Sequence, residues 1–479
     1  MLFNSIEFLF FLPIVFVFYW FVFKSLKWQN LFIVIASYVF YGWWDWRFLL
    51  LIALTTVCSY ISGLLLLRYK NDRHKSLIVC VGNVVLNLSI LGVFKYYNFF
   101  VENLALLVKS FGYDLGWTTI NIILPVGISF YTFQALSYTI DVYRGKMEPT
   151  KDPISFFAFI SFFPQLVAGP IERATNLLPQ FLQRRNFNYE KAIDGCRQIL
   201  WGLLKKMIIA DNCAEIVNLI WDNYTDYSGL TLLIGGILFS FQIYCDFSGY
   251  SDIAIGTAKL FGIRLMQNFN LPYLSRSIPE FWRRWHISLT TWFRDYIYFP
   301  LGGNRVSQIK TLRNTMIVFG VSGLWHGANW TFICWGLYHA LLFIPYMLLH
   351  IDTKHQLTVE ANRLLPSFKG FIQMCITFFL AVIGWILFRS DSMSQAVDYI
   401  YRMFMTITQG EVLGKRALVY CFLLVVIEWL QRNKAHCMQI DNPPKFLKYR
   451  VVRWTIYYIL IWCLVAMAGS QQDFIYFQF

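Results

Sequence analysis

Long apolar stretches separated by short basic loops constrain the fold of this chain more than any other feature. About eleven stretches are long enough to cross a bilayer as a helix, which takes roughly 20 apolar residues. Only 14% of the 479 residues are charged, whereas soluble globular chains are nearer about 25%. The sequence therefore predicts an all-α polytopic membrane protein with a single membrane domain over residues 1–479. Within it we expect N-terminal helices in 1–150, a core with re-entrant segments in 151–350, and C-terminal helices and a tail in 351–479.

The basic loops predict the orientation of the chain. The first apolar segment has no basic residue before it and no small-residue cleavage site after it, so we expect a membrane helix and no removable signal peptide. Lys24 and Lys27 follow this segment, which by the positive-inside bias places the amino terminus outside. The basic loops at 68–75 and 141–152 fit the same topology. The basic loop before the last predicted helix, about 454–469, then places the C-terminal tail outside as well.

The overall charge and the cysteines bear on the classes of ligand. The net charge of +14 is concentrated in such loops. Topology signalling accounts for most of it, and attraction of an anionic cytosolic donor or lipid headgroups is the alternative. No basic patch occupies a separate soluble module, so nucleic acid binding is not predicted. The ten cysteines are scattered without CxxC or CxxH spacing, so neither a zinc site nor a disulfide framework is predicted, and no bound cofactor is expected.

The central third departs from plain membrane helices. Residues 156–181 are apolar, but Pro164, Gly169 and Pro170 interrupt them, and proline breaks helix interiors. Broken backbone at membrane depth is tolerated where protein or a water-filled cavity surrounds it, so this segment is predicted to be re-entrant. The following residues, 173–206, are rich in lysine and arginine and are expected on the cytoplasmic side.

Two carboxylates stand in an otherwise uncharged run, residues 229–257. They are Asp246 and Asp252 of "YCDFSGYSDIAIG". A carboxylate at membrane depth must face a bundle interior or a wet cavity and find a partner. A structural hydrogen-bonding role between helices is favoured over a direct functional role, and the arginines that follow in the sequence are the expected partners.

Those arginines belong to an aromatic and basic stretch, residues 270–305. Ser277 and Glu280 fit a capping box with Pro279 in the first turn, so a helix is predicted to begin there. This helix would carry, between its tryptophans, Arg283, Arg284, His286, Arg294 and Asp295. The composition fits a membrane-interface helix. It equally fits a surface for an anionic donor that bears a phosphate or a thioester.

One histidine, His326 of "GVSGLWHGANWTF", lies in a run without Asp, Glu, Lys or Arg from residue 314 to 351. It follows Arg313 by thirteen residues, about 20 Å along a helix at roughly 1.5 Å per residue, which predicts a position near the bilayer middle. A hydrogen-bonded contact between helices is one interpretation. Ionisable groups inside the membrane also mark function, and a buried neutral imidazole is the form that a general base needs. The residue types alone predict a proton relay or an acid/base catalyst in a cavity.

Several long motifs follow one another along the chain: "ILPVGISFYTFQALSYTIDVYRG", "FPQLVAGPIER", "YCDFSGYSDIAIG", "RRWHISLTTWFRDYIYFPLGGNR" and "GLWHGANWTFICWGLYHA". Together they resemble the membrane-bound O-acyltransferase family. Within it they look most like the bacterial branch of alginate O-acetyltransferases and teichoic acid D-alanyl transferases. The resemblance spans most of the chain, from the "MLFNSIEFLFFL" start to the final residues.

The resemblance implies a fold and a pair of functional residues. The family fold is a ring of membrane helices, with re-entrant and interfacial helices, around a central pore, here in the inner membrane of a bacterium. His326 corresponds to the essential histidine at the narrow middle of that pore, and His286 to the second histidine of the pair. A donor enters from the cytoplasm and an acceptor from the other face, so a base midway serves both.

Further site residues are expected around this pair. Asn329, Arg283, Arg284 and Trp325 would orient the donor or stabilise the developing oxyanion, and Asp246 and Asp252 would line the pore. His339 is expected to be structural, because thirteen residues from His326 along one helix place it near the opposite face.

The C-terminal tail, "GSQQDFIYFQF", contains Tyr476 among aromatic neighbours. An interfacial aromatic anchor is one interpretation. The alternative is an acyl relay, in which the tyrosine hydroxyl accepts the acyl group and passes it to an extracytoplasmic partner enzyme.

Three functions are compatible with these features. The first is an O-acyltransferase that moves acetyl from acetyl-CoA toward an exported polysaccharide, in a lipid environment and with an extracytoplasmic partner. The second uses D-alanine on an acyl carrier protein and a teichoic acid acceptor. The third is a non-enzymatic transporter with a proton-relay histidine, which predicts internal repeats, and the sequence has none that we detect.

Overall fold

The structure is a computed structural model. It describes residues 1–114, 116, 119–120, 123–167, 169–349, 351, 364–406, 413–440 and 448–477. These residues form helices, turns and irregular segments and no strand, so the all-α prediction is confirmed for them. The chain divides into two compact units, Met1–Tyr189 with Ala258–Met266, and Glu190–Thr257 with Gln267–Phe479. The single membrane domain over 1–479 stays a prediction.

The first part of the chain contains nine α-helices in the residues that the structure describes. They are α1 (Ile6–Val17), α2 (Leu26–Gly42), α3 (Leu49–Arg68), α4 (Arg73–Leu91), α5 (Tyr97–Ser110), α6 (Ile128–Tyr143), α7 (Pro153–Ser161), α8 (Phe163–Leu166) and α9 (Ala174–Leu182). Short π-helical segments extend two of them, at Phe18–Val22 and Gly92–Tyr96, and a 3-10 turn, Trp46–Phe48, precedes α3.

The remaining α-helices follow from residue 189 onward. They are α10 (Tyr189–Leu203), α11 (Asp211–Asp222), α12 (Gly229–Leu260), α13 (Ile278–Arg284), α14 (Ile287–Phe293), α15 (Gln308–His326), α16 (Trp330–Leu348), α17 (Phe368–Arg389), α18 (Met393–Met405), α19 (Lys415–Leu430) and α20 (Arg450–Met467). A π-helical segment, Leu204–Ala210, joins α10 to α11, and another, Arg294–Tyr298, follows α14. Among the described residues of this part are the 3-10 turns Tyr224–Asp226, Pro272–Leu274 and Ile475–Phe477.

Six helical stretches in the described residues are long and apolar enough to cross a membrane. They are Trp46–Arg68, Arg73–Ser110, Gly229–Leu260, Trp330–Leu348, Phe368–Arg389 and Arg450–Met467. The prediction of a multi-pass membrane protein is therefore confirmed. The number of about eleven spans stays a prediction, as does the side of the membrane on which each loop lies.

The first unit contains one segment that the sequence predicted to be broken and one helix that the sequence analysis missed. The segment expected to be re-entrant is broken into the short helices α7, α8 and α9, as its prolines and glycine require. The helix α5, Tyr97–Ser110, was not predicted. Its apolar residues alternate with asparagine, glutamate and lysine at helical spacing, a pattern that an apolar-stretch criterion misses.

The second unit contains most of the long helix α12, Gly229–Leu260. Close packing of α10 against α12 requires glycine at their crossing, because a Cβ at Gly202 would lie 2.5 Å from the carbonyl oxygen of Gly249. This close approach brings the C-terminal end of α10 and the following π-helical segment against the stretch of α12 that contains Asp246 and Asp252. The candidate site is built on this packing.

Candidate functional site

His326 lies at the turn of a helical hairpin. α15 ends at His326, Gly327 follows in an extended conformation, and Asn329 caps α16 by accepting the Thr331 N–H at 3.1 Å. The expectation of one continuous helix from His326 to His339 is therefore wrong. Asparagine bonds to the backbone beyond it and so favours a helix start over a helix interior. The His326 ring is placed by the end of one helix and the start of another.

Glycine allows the two helices of this hairpin to pack closely. A Cβ at Gly323 would overlap the carbonyl oxygen of Phe332, and a Cβ at Gly336 would overlap the carbonyl oxygen of Phe319. Both of these oxygens belong to the backbone, so a side chain at either glycine would force the helices apart. The spacing of α15 and α16, and with it the position of His326, depends on these two residues.

His286 lies at a break between α13 and α14. Ser277 caps α13 and accepts the Glu280 N–H at 3.3 Å, which confirms the predicted helix start. The single helix predicted from there to Asp295 is wrong, because the backbone is extended at Trp285 and left-handed at His286, with φ of 42°. Positive φ is rare for residues other than glycine and marks local strain.

Backbone hydrogen bonds to a neighbouring loop stabilise this break. Asn270 N–H donates to the Arg284 carbonyl at 2.9 Å, and Ile287 N–H donates to the Asn268 carbonyl at 2.9 Å. The side chain of Asn268 also accepts from the Ser288 hydroxyl at 2.9 Å. Loop 268–270 thus replaces the helical hydrogen bonds that the break removes, and the strained conformation aims the His286 ring inward.

The two histidines and the C-terminal tyrosine gather in one aromatic cluster. The Tyr476 ring centroid lies 5.6 Å from that of His326 and 6.4 Å from that of His286, with the latter two rings inclined by 11°. Phe247 of α12 contacts His286 at 4.7 Å and Tyr476 at 4.4 Å. Three segments distant in sequence therefore converge on Tyr476: the end of α15, the α13–α14 break and α12.

The polar atoms of this cluster are shielded from solvent. His286 is 1% exposed and His326 is 3% exposed. Among the described residues, the two ring nitrogens of His286 have no hydrogen-bond partner, and the Tyr476 hydroxyl has none either. Burial lowers the pKa of His286 to about 3, so its ring is neutral at neutral pH. Burial, with a smaller contribution from Asp246, raises the pKa of Tyr476 above its ordinary value, so the phenol keeps its proton.

Three further aromatic rings surround the imidazole of His326. The ring of His326 lies 4.9 Å from Trp325, 5.0 Å from Trp335 and 5.4 Å from Phe388. Trp325 also lies 6.0 Å from His286, so it borders both histidines. These rings shield the imidazole, which is 3% exposed, from bulk solvent.

Asp246 and Asp252 pair with lysines and not with the arginines that follow them. Lys206 Nζ lies 2.8 Å from Asp246 Oδ1, and Lys205 Nζ lies 2.7 Å from Asp252 Oδ2. The expected arginine partners are therefore wrong. The two lysines were expected with the basic residues on the cytoplasmic side, but their side chains are 5% and 4% exposed. A buried aspartate needs the nearest available cation, and the packing of α10 on α12 supplies these two.

The remaining predicted site residues have structural contacts. Arg284 donates to Glu280 Oε1 at 2.8 Å and to the Asn270 carbonyl at 3.1 Å. Asn329 donates through Nδ2 to the Asp391 carbonyl at 2.9 Å, besides capping α16. Both the nitrogen and the oxygen of the Asn329 side-chain amide therefore form hydrogen bonds. Arg283 lies on α13 next to Arg284 and is partly exposed. Roles of these residues toward a donor stay predictions.

His339 lies inside α16 and packs among aromatic rings. Its ring is 5.1 Å from Trp282, 5.3 Å from Trp335 and 5.3 Å from Tyr338. The argument from helix faces does not hold, since His326 and His339 are on different helices. Trp335 contacts both histidine rings and lies between the site and His339.

The sequence is similar to known proteins over most of its length. A family model described as MBOAT, membrane-bound O-acyltransferase family, matches residues 149–388. The probable alginate O-acetylase AlgI of Pseudomonas aeruginosa is 42% identical over 84% of this chain and 75% of its own length. The chain belongs to the membrane-bound O-acyltransferase family. It is therefore an acyltransferase, and the resemblance of its motifs is confirmed.

Two further relatives show the range of the family around this acyltransferase. The peptidoglycan O-acetyltransferase of Helicobacter pylori is 33% identical over 100% of this chain and 98% of its own length. The teichoic acid D-alanyltransferase of Bacillus subtilis is 30% identical over 56% of this chain and 69% of its own length. His286 and His326 lie inside the region that the family model matches, whereas Tyr476 lies beyond it.

Sequence reasoning missed two residues of this acyltransferase that the structure places at the site. Phe247 contacts His286 and Tyr476, but nothing distinguishes it among 46 phenylalanines. Lys206 pairs with Asp246, and the sequence does contain a pattern that predicts such a buried pair. Two consecutive lysines within the apolar run "ILWGLLKKMIIA" are costly unless each has a buried partner.

Proposed function

We propose that this protein transfers an acetyl group from acetyl-CoA across the cytoplasmic membrane to a hydroxyl of an exported cell-surface polysaccharide. An extracytoplasmic partner would complete the transfer. The observation that carries the proposal is the convergence of His286, His326 and Tyr476 in one buried cluster. The names of the Pseudomonas and Helicobacter relatives, an alginate O-acetylase and a peptidoglycan O-acetyltransferase, support acetyl as the group and an envelope polysaccharide as the acceptor.

For the architecture, we propose about eleven membrane helices, with re-entrant and interfacial helices, in a ring around a central pore. The protein would lie in the inner membrane of a bacterium with both termini on the extracytoplasmic side. The six long apolar helices and the family membership support this arrangement. The basic loops support the orientation through the positive-inside bias.

In the proposed reaction, His326 acts as general base. The neutral imidazole takes the proton of an attacking hydroxyl while the oxygen adds to the thioester carbonyl carbon. The carbon–sulfur bond then breaks, and the imidazolium returns the proton to the leaving sulfur, so CoA departs as a thiol. A base with this role must be neutral before the reaction, which a water-poor aromatic surround favours.

Tyr476 is the first acceptor in this proposal. Its hydroxyl attacks the thioester and becomes an acetyl ester, and the proton that it loses goes through His326 to the CoA sulfur. In a second transfer, a hydroxyl of the partner enzyme or the polysaccharide attacks that ester and the phenol regains a proton. The support is geometric, because the Tyr476 ring lies 5.6 Å from His326 and its hydroxyl is buried.

The other predicted residues would support this chemistry. His286, neutral and in ring contact with Phe247, would donate a hydrogen bond to the thioester oxygen as negative charge develops. Trp325 would shield the reacting atoms from water. Asn329, Arg283 and Arg284 would orient the donor. Asp246 and Asp252 would act through their lysine partners and not as bases.

D-alanyl transfer from a carrier protein to teichoic acid is the second candidate. The Bacillus relative named for this activity is 30% identical over 56% of the chain. The acetyl relatives match more of the chain at higher identity, which favours acetyl. Membership of an acyltransferase family leaves no support for the non-enzymatic transporter.

The test uses the full-length protein in lipid nanodiscs with radiolabelled acetyl-CoA. We expect label on the wild-type protein, none on His326→Ala, and none on Tyr476→Phe, which keeps the aromatic ring and removes the hydroxyl. D-alanine loaded on a carrier protein is the competing donor. Label that enters only from that donor would replace acetyl by D-alanyl, and full polysaccharide acetylation by Tyr476→Phe would end the relay.

A further inference from the structure

The C-terminal tail is bound to the second unit mainly through its backbone. Gly469 N–H donates to the Met207 carbonyl at 3.0 Å, and Ser470 N–H donates to Glu215 Oε1 at 2.7 Å. Further along, Ile475 N–H donates to Asp246 Oδ2 at 2.7 Å. The tail follows a path of hydrogen bonds from the end of α20 to the aromatic cluster.

One buried cation links this path to two carboxylates. Lys206 Nζ lies 2.9 Å from Asp211 Oδ1 and 2.8 Å from Asp246 Oδ1, and it donates to the Gln472 carbonyl at 3.0 Å. The side chains of Lys206, Asp211 and Asp246 are each 5% exposed or less. An ion cluster this deep is costly in desolvation and is weak evidence for stability by itself. Its contacts with the tail suggest what it is retained for.

We propose that Lys206, Asp211 and Asp246 form a docking clamp that holds the tail backbone and positions Tyr476 against His326. The clamp residues are positioning residues, since none of them contacts the histidines in the part of the chain that the structure describes. The functional consequence rests on the proposed relay through Tyr476. The docking itself does not depend on the relay, and the two are tested by different measurements.

The clamp contacts backbone atoms of the tail, whereas the aromatic cluster contacts side chains of the tail. Gln472 and Ile475 are held by their carbonyl and N–H. Phe474, in contrast, packs its ring 4.7 Å from Tyr250 and 5.8 Å from Phe247. Loss of the residue-475 N–H therefore removes a clamp contact, and because the Ile475 side chain is itself buried, a test of the N–H needs a control that loses the side chain alone. The clamp is a binding site for the backbone of the C-terminal tail.

Proline at position 475 tests this contact selectively. Ile475 is the first residue of the 3-10 turn Ile475–Phe477, and the first position of a helical turn accepts the fixed φ of proline. Ile475→Pro removes the N–H that Asp246 accepts. Ile475→Ala also loses the isoleucine side chain but keeps the N–H, so it is the matched control.

The chain offers a second matched pair. Lys205 and Lys206 are neighbours in the same π-helical segment, and each pairs with an aspartate of α12. Lys205 donates to Ser248 and pairs with Asp252, without a tail contact among the described residues. Lys206→Met therefore removes the clamp, and Lys205→Met removes an equally buried cation nearby.

The experiment measures tail docking by carboxypeptidase Y digestion of the full-length protein in nanodiscs. Intact-protein mass spectrometry follows release of the last three residues, before the enzyme reaches position 475. We expect Ile475→Pro to be trimmed about tenfold faster than Ile475→Ala, since a hydrogen bond to a charged acceptor is lost. Lys206→Met should likewise be trimmed faster than Lys205→Met. Equal rates within the Ile475 pair would overturn the clamp.

Acetyl transfer by the same variants tests the positioning. Ile475→Pro should lower kcat about tenfold relative to Ile475→Ala with an unchanged KM for acetyl-CoA, because the tail is displaced and the donor site is not. A rise in KM with unchanged kcat would overturn the positioning role. If Tyr476→Phe acetylates normally while Ile475→Pro is still trimmed faster, the relay fails and the docking clamp stands.

Discussion

The ring of Tyr476 lies 5.6 Å from the ring of His326, although the tyrosine belongs to the C-terminal tail and the histidine ends α15. Phe247 packs against the same tyrosine at 4.4 Å. A chain terminus is usually the least ordered part of a domain unless other elements hold it. Here Tyr476 of the tail lies among the site residues, so changes in the hairpin, in the α13–α14 break and in the tail are expected to affect one reaction.

Replacement of His326 by glutamine tests its role as base. Glutamine keeps polarity and approximate size but takes no proton, so kcat should fall by about 10²–10⁴-fold. Acetyl transfer in nanodiscs is the measurement, with the melting temperature as a check on folding. His339→Gln is the control, because it changes a buried histidine that Trp335 separates from the site. Equal losses of kcat in both variants would contradict a specific role for His326.

The low pKa of His286 predicts a pH dependence of stability. Folding lowers this pKa from 6.5 to about 3. Between those values the unfolded chain binds a proton that the folded protein excludes. The contribution of the neutral His286 ring to the free energy of unfolding is therefore fully present above pH 6.5. It is lost as pH falls, by up to about 1.4 kcal/mol per pH unit. His286→Gln should show a shallower drop in melting temperature from pH 6.5 to 4. Parallel curves for variant and wild type would contradict the buried neutral ring.

Alanine substitutions at two glycines of α15 are expected to change stability in different ways. Gly323→Ala places a methyl group against the Phe332 carbonyl, which should destabilise by about 1–3 kcal/mol and lower kcat because the hairpin shifts His326. A methyl group at Gly320 meets Leu337 at 3.6 Å, an ordinary contact. Gly320→Ala should therefore leave stability unchanged or raise it by up to about 1 kcal/mol, as alanine favours helix. Thermal melting and kcat of the two variants are compared, and a similar loss in both would rule out close packing as the reason.

Arg284 distinguishes a structural role from a donor-binding role. It forms a buried pair with Glu280 at 2.8 Å. Arg284→Met removes this partner and leaves the buried carboxylate with Arg276, whose Nε lies 3.5 Å from Glu280 Oε2. The loss should cost up to about 3–5 kcal/mol, and the double variant with Glu280→Met should recover much of it. The measurements are melting temperature and KM for acetyl-CoA. A raised KM with an unchanged melting temperature would instead assign Arg284 to the donor.

Features set by local sequence were predicted well. The apolar run at about 454–469 predicted α20, Arg450–Met467, because a hydrocarbon-length helix needs only composition and length. Ser277 predicted the start of α13, because capping is a contact between residues three apart. The histidine pair came from the motif resemblance, since spacing alone left His326 open between a structural contact and a catalyst.

Features that depend on contacts between distant segments were not predicted. The break at His286 arises because loop 268–270 supplies the backbone partners that the helix loses. The partners of Asp246 and Asp252 were assigned to nearby arginines, whereas the packing of α10 on α12 brings the lysines closer. Neither fact is encoded in the spacing of the residues concerned.

By itself, the sequence determined that this chain is a helical membrane protein, where its long helices run, and which family motifs it contains, because those properties follow from local composition and order. Only the tertiary structure decided which charges are paired, where the helices break, and that Tyr476 meets both histidines. The reason is that burying a charge or an aromatic ring is favourable only with a matching surface, and that surface comes from elsewhere in the chain.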